Sequence, residues 1–414
     1  MPTSRHPDSR GAVRAADWSL LLRACRSDRV GLDAAVALRF PGRHASDWAG
    51  FLALMDREGV GPLAATALLL VDANLVPEDV RAALRERVQL GALRAGFQVP
   101  ELLAILEALE ARGVAAVAHK GPTLSVLAYG QTGIRDSVDL DLVVRESDVA
   151  AAEEVLRQRG YRRHNPPELR QREEAAWRRA GNAAEFVSGD GWLFVDLHWQ
   201  ICSRRFPFVV DSTRLWSRPA RVMLTGREVR VFPAETLVGL LCLHGAKDRW
   251  RKLMWLCDVD RLIRLSPSLG WEEVRGFAEQ SRCRRAVGLG LLLASRLLET
   301  PLPAPVLAQL AQDEKLVRLA AEVEDHLATG GIRRSWWLEK LNLWPFHLEV
   351  FDTWRDGALY LGRTLVTPET GDWELLEVPL PDALYPLCSP LRPLRLLASL
   401  VRESVRRALG RVGR

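Results

Sequence analysis

Three aspartates have the types and spacing to do chemistry together. Asp139 and Asp141 are separated by one residue in the apolar segment 138–144, and Asp196 sits within Phe194-Val195-Asp196-Leu197-His198. Side chains alternate along a strand, so Asp139 and Asp141 should project from one face while Leu140 and Leu142 turn to the core. Two carboxylates held there repel, and each keeps its proton to higher pH unless a cation intervenes. A divalent metal removes that penalty, and Mg²⁺ suits one or two carboxylates together with phosphate oxygens and water. A third carboxylate beside the pair bridges a second ion. Two ions about 4 Å apart can activate an attacking hydroxyl and stabilise a leaving pyrophosphate. The bland alternative is three exposed positions on edge strands. A lone Asp-x-Asp favours that alternative, whereas a glycine turn upstream and a third strand aspartate downstream favour the metal.

The turn upstream is Lys120-Gly121, between the short apolar run 114–117 and a helix that Pro122 opens and Tyr129 ends. Glycine lets backbone N–H groups approach a phosphate, the helix N-terminus favours the anion, and Lys120 adds a point charge. A plain strand-to-helix turn would look the same.

Around these residues the pattern divides the chain. Residues 1–15 read as a disordered polar tail and 16–112 as a helical region, with Leu102, Ile105, Leu106 and Leu109 on one face and Gly113 ending it. The α/β core is placed at 113–232, with strands at 114–117, 138–144, 192–199 and 229–232. Between the middle two runs a helix capped by Ser147 or Asp148, ending near Gly160. A helical domain follows at 233–330. The last segment, 331–414, is rich in Trp and Pro and closes on a basic amphipathic helix over 391–409. The fold class is therefore α+β: a small mixed sheet between N- and C-terminal helical segments.

Bulk properties narrow the function. The 414 residues are 48% hydrophobic and 26% charged with a net charge of +5, ordinary for a globular protein. A nucleic-acid partner is not expected, because such binders carry a denser basic stripe. Six scattered cysteines without a C-x-x-C pair form neither a zinc motif nor a disulfide framework. No apolar run spans a membrane, and a cytoplasmic location is expected.

The stretch AHKGPTLSVLAYGQTGIRDSVDLDLVVRESDVAAAEEVLRQRGY resembles the uncharacterised bacterial nucleotidyltransferase family, a branch of the DNA-polymerase-beta-like superfamily. The matching positions are Lys120-Gly121, Tyr129, Arg135, Asp139, Asp141 and Gly160-Tyr161. WLFVDLHWQI resembles the family's third-carboxylate strand through Asp196, His198 and Trp199. LCLHGAKDRWRKLMWLCDVDRLI resembles its helical segment through His244, Lys247 and Asp258. The wider superfamily has Gly-Ser or Gly-Gly at the turn, closer to its Asp-x-Asp than Lys120-Gly121 is here.

The resemblance implies Mg²⁺-dependent transfer of a nucleoside monophosphate from an NTP to an acceptor hydroxyl or phosphate, releasing pyrophosphate. Asp139, Asp141 and Asp196 would be both catalytic and metal-holding, with two Mg²⁺ ions. Lys120, Gly121, Arg135 and Lys247 would bind the nucleotide. The acceptor would be a small molecule, a peptide or a protein, with a peptide or sugar-related one in a biosynthetic cluster as the guess. Arg135 would meet phosphate or brace Asp139. If residues 250–265 continue the preceding helix, Lys247 and Asp258 share a face, leaving Lys247 either to the triphosphate or to a salt bridge. His244 lies among Leu237, Leu240 and Leu241 and reads as a core histidine. His198 borders the site without being counted a ligand. The competing class is a non-catalytic nucleotide-binding or assembly module on the same fold, disfavoured by retention of all three carboxylates.

Overall fold

The structure is a computed structural model and describes residues 9–26, 28, 31–42, 44–167, 174, 177–178, 181–329 and 345–366. The basic helix expected at 391–409 lies outside the described residues. Four helices open the chain: α1 (Ser9–Cys25), α2 (Leu32–Arg39), α3 (Ala49–Arg57) and α4 (Gly61–Leu68). The long α5 (Glu78–Ala111) follows. Helix α1 begins inside the segment expected to be a tail, so the helical region starts at Ser9.

The α/β part runs β1 (Ala116–Ala118), α6 (Gly121–Tyr129), β2 (Asp139–Val144), α7 (Val149–Gln158), β3 (Arg162–Asn165), β4 (Ala183–Val187) and β5 (Phe194–His198). After α8 (Ser212–Ser217) comes the hairpin β6 (Ala220–Leu224) and β7 (Arg227–Val231). The later helices are α9 (Ala234–Lys247), α10 (Leu253–Leu265), α11 (Trp271–Gln280), α12 (Arg284–Leu298), α13 (Ala304–Gln312), α14 (Glu314–Thr329) and α15 (Trp354–Val366). None of the described helices is long and apolar enough to cross a membrane.

Five strands form one sheet in the order β1-β2-β5-β4-β3. β2 and β5 run parallel, and every other neighbouring pair is antiparallel. The sheet is mixed and small with helices on both sides, which is the α+β class expected. One face carries Leu140, Leu142, Val144, Val195, Leu197, Ala184 and Phe186. These pack with Leu102, Ile105 and Leu109 of α5 and Val155 and Leu156 of α7. On the other face Val117 and Val143 join the larger helical core, with Leu124 and Ala128 of α6 and the apolar sides of α9, α10 and α12. Alternation thus gives each strand two different tasks.

Three strands were not read from sequence: β3, β4 and β6. β3 is Arg162-Arg163-His164-Asn165, with no apolar alternation at all. Its buried position is held by Arg163, which bonds Glu153 at 3.0 Å and Glu174 at 2.6 Å and lies over the Trp177 ring. The cap expected before α7 also differs. A 3₁₀ turn, Glu146–Asp148, leads into the helix, and neither Ser147 nor Asp148 makes a side-chain cap bond. Ser147 donates instead to the Asp148 carboxylate at 2.9 Å.

The helix assumed to carry Lys247 and Asp258 on one face is two helices. α9 ends at Lys247, and Arg249 and Trp250 take positive φ of 55° and 52°. The Trp250 N–H donates back to the Gly245 carbonyl at 2.7 Å, and its indole lies where a side chain at Gly245 would stand, 2.5 Å from a Cβ built there. Trp250 is fully buried. A glycine and a tryptophan thus close the turn, and α10 starts afresh at Leu253.

Candidate active site

β2 and β5 set the carboxylates. In their register Asp141 pairs with Asp196 and Asp139 with Phe194. Register partners on parallel strands share a face, so all three aspartates stand on the side away from the α5–α7 core. The antiparallel partner on the far side of β5 adds Glu185, in register with Asp196. His198, two residues beyond Asp196, projects from the same face. Its Nε2 lies 3.4 Å from Asp141 Oδ1.

The turn between β1 and α6 delivers Lys120 to the same oxygen, Nζ to Oδ1 at 3.2 Å. Gly121 holds φ +60°, and a Cβ there would meet the Asp139 carbonyl oxygen at 3.2 Å. Only glycine takes that backbone without strain. His119, just before it, receives its backbone place by donating N–H to the Asp141 carbonyl at 3.3 Å. Its ring is edge-on to His198 with centroids 5.6 Å apart.

The charges are not equivalent. Burial raises Asp139 to about 6, with Asp141 as the next contributor. Burial likewise raises Asp196 to about 7, again with Asp141 adding repulsion. Burial alone would push Asp141 up too, but Lys120, then His198 and His119, outweigh it and hold Asp141 well below the usual carboxylate range. One carboxylate is therefore firmly ionised, and its two neighbours hold their protons to higher pH than an ordinary carboxylate, protons that a cation would displace. Burial holds His119 and His244 well below the ordinary imidazole range, so both are neutral at pH 7.

This donor set fits a divalent cation. One oxygen each of Asp141 and Asp196 and a ring nitrogen of His198 lie within 4.8 Å of one another. Asp139 stands beside that trio and feels the repulsion of Asp141. His198, expected only to border the site, is inside the group, while Asp139, expected as a ligand, is next to it.

The carboxylates line a cleft of about 310 Å³. One wall is the sheet and the Lys120 turn, and the other is the facing ends of α9 and α10, with His244, Lys247, Lys252 and Trp255. Lys247 and Lys120 thus face one cleft from the two parts of the chain. Lys247 sits 3.5 Å from Asp248, and its side chain is 33% exposed. Asp258 is not its partner. Arg135 Nε bonds both Asp258 oxygens at 3.1 and 3.0 Å, and the Tyr129 hydroxyl donates to Asp258 Oδ1 at 2.8 Å. Arg135 lines the cleft, yet the bond it makes braces Asp258 of α10 rather than Asp139. His244 is not a sealed core residue either. It reaches the cleft, its ring edge-on to Trp255 at 4.9 Å.

Sequence reasoning missed His119, Asn182 and Trp255, all of which line the cleft. Alternation along β1 into the turn was the available signal for His119. Asn182 and Trp255 arrive only through strand β4 and the break before α10, neither of which the pattern announces.

Comparison with known proteins agrees with the geometry. The family model described as uncharacterised nucleotidyltransferase matches residues 44–299, more than half of the chain and all of the cleft. Among solved structures, the antibiotic-resistance factor ANT(2'')-Ia is similar at 18% identity over 46% of this chain and 95% of that one. Its TM-score is 0.32, and that overlay supports no conclusion about this chain. No curated protein matches. With the matched span enclosing Lys120-Gly121, the three aspartates and the two helices that face them, the chain belongs to the family of uncharacterised nucleotidyltransferases.

Proposed function

We propose that this cleft transfers a nucleoside monophosphate from an NTP to an acceptor hydroxyl or phosphate and releases pyrophosphate. The observation that carries the reading is the register of Asp141 with Asp196 on parallel strands, under a lysine-bearing turn. An acceptor oxygen forms a bond to the α-phosphorus, and the bond from that phosphorus to the pyrophosphate oxygen breaks with its electron pair. A hydroxyl acceptor passes its proton to Asp196, which stands ionised beside it once a cation has displaced the proton that burial favours. Lys120 and Lys247 address the triphosphate from opposite walls, and Gly121 lets backbone N–H groups near it. Divalent ions, two Mg²⁺ in this reading, held by Asp139, Asp141 and Asp196 with His198 alongside, supply charge that offsets the triphosphate. Arg135 orders α10 through Asp258 and contributes its charge to the cleft.

The test is incubation with each α-³²P-labelled NTP, Mg²⁺ and panels of small-molecule, peptide and protein acceptors. Label appearing on an acceptor with stoichiometric pyrophosphate supports transfer. NTP binding without label transfer or pyrophosphate release across the panels would favour a binding-only module.

A further inference from the structure

The carboxylate cleft does not end the open face of the sheet. A larger cavity, about 760 Å³, begins where β2 and β5 finish, and it shares Ile201 and Cys202 with the cleft. Val143, on the same face of β2 as Asp141, lines it. Two strand residues span about 7 Å. A ligand seated in the cavity therefore reaches the carboxylates with one substituent.

The walls differ in kind from those of the cleft. Phe206 and Phe208 stack at 5.7 Å with planes only 3° apart, and Trp216 stands on α8 with the Arg145 guanidinium 5.2 Å above its ring. Three arginines, Arg145, Arg204 and Arg363, line the cavity against a single glutamate, Glu146. Glu146 is bound by Arg204 at 2.9 Å. Arg363 donates to the carbonyls of Arg204 and Phe206, which fixes the wall, and it has no carboxylate partner among the described residues. Arg145 has no carboxylate partner among the described residues. Over its described lining residues the cavity is thus aromatic and positive by two charges. Its volume lies in the range of sites that enclose a small organic ligand.

We infer that this cavity seats the acceptor, and that the acceptor is a small molecule with an aromatic body and an anionic group. The aromatic part lies against Phe208 and Trp216, the anion meets Arg145, and the accepting group points toward Asp141 and Asp196. A nucleoside triphosphate is a poorer occupant, because its charge is answered by the two lysines of the cleft. This inference rests on the transferase reading for the word acceptor, but the ligand chemistry of the cavity can be tested without nucleotide.

Two probes differing in one charge make the test: N-acetyltryptophan, a carboxylate, and N-acetyltryptophanamide, its neutral counterpart. Binding of each to the full chain is measured by calorimetry, without NTP or metal. N-acetyltryptophan should bind at least tenfold more tightly, and Arg145→Ala should reduce that preference to about twofold or less. Arg145→Glu, which brings the charge of the described lining to zero, should abolish it. Circular dichroism on both variants, whose substituted side chain is exposed, should match the parent protein. No binding of either probe overturns the inference. Equal affinity for the two probes, or a preference that survives Arg145→Glu, overturns it as well. A parallel titration of the parent protein with Mg²⁺ and NTP tests the transferase reading separately. Failure there alone would sink that reading while the probe result still decides what the cavity binds.

Discussion

Asp141 and Asp196 face each other across the parallel β2–β5 pairing, and of the three cleft aspartates Asp141 is the one that meets Lys120, at 3.2 Å, with the His198 ring nitrogen 3.4 Å away. Substitution should therefore separate the two members of the Asp-x-Asp pair. Asp139 is held above its ordinary proton affinity, so Asp139→Asn should stabilise the metal-free fold at pH 8, by about 1–3 kcal/mol. Asp141→Asn strands Lys120, whose side chain is only 14% exposed, and should destabilise by about 1–3 kcal/mol. Both variants should lose transfer. Urea titrations with a turnover assay check the pair, and near-normal turnover in either variant would remove it from the catalytic role.

The raised groups also set a pH dependence. Asp139 near 6 and Asp196 near 7 stand above the ordinary carboxylate value of 3.8. Below about pH 4 folded and unfolded chains both hold these protons. As pH rises the unfolded chain releases them first, so the metal-free fold loses their contribution until the folded groups ionise too. A bound divalent ion displaces the same protons. The rise in melting temperature caused by Mg²⁺ or Mn²⁺ should consequently grow from pH 5 to pH 8. A metal-induced shift that stays flat across that window contradicts the assignment.

The Arg135–Asp258–Tyr129 cluster ties the loop before β2 to α10 in a buried setting. Asp258→Asn leaves a buried guanidinium uncompensated and should cost about 3–5 kcal/mol. Tyr129→Phe removes one hydrogen bond and should cost about 1 kcal/mol. Calorimetric melting of both variants measures the difference. Equal, small losses would mean that the cluster does not hold α10 against the site.

The carboxylate strands could be read from sequence because their chemistry interrupts strong apolar alternation: Asp139 and Asp141 against Leu140 and Leu142, and Asp196 between Val195 and Leu197. The Lys120-Gly121 turn was readable because Pro122 marks the helix start. What could not be read depends on partners far along the chain. Arg162-Arg163-His164-Asn165 forms a strand because Glu153 and Glu174 neutralise the buried Arg163. Arg135 finds Asp258 123 positions away. The break before α10 follows from Trp250 folding onto Gly245, a packing event that leaves no periodic trace. His198 joined the cluster of candidate ligands only once the β2–β5 register brought it to Asp141.

Lys120 and Lys247 give the sharpest contrast between a site role and a structural one. Both line the cleft, from the β1–α6 turn and from the end of α9. Lys120 is largely enclosed and bonds Asp141, so Lys120→Ala should lower both stability and NTP affinity. Lys247 is a third exposed, and its only ion-pair partner among the described residues is Asp248, at 3.5 Å. An exposed pair of that length contributes little to folding. Lys247→Ala should therefore leave thermal stability within about 0.5 kcal/mol of the parent. Its NTP affinity should fall by about 1.5–3 kcal/mol, the worth of a charge-assisted contact to the triphosphate. If Lys247 served the fold instead, the two measurements would exchange places: a lower melting temperature with unchanged NTP affinity. Melting and equilibrium nucleotide binding on this one variant decide the matter, and the stability-only result would take Lys247 out of the site.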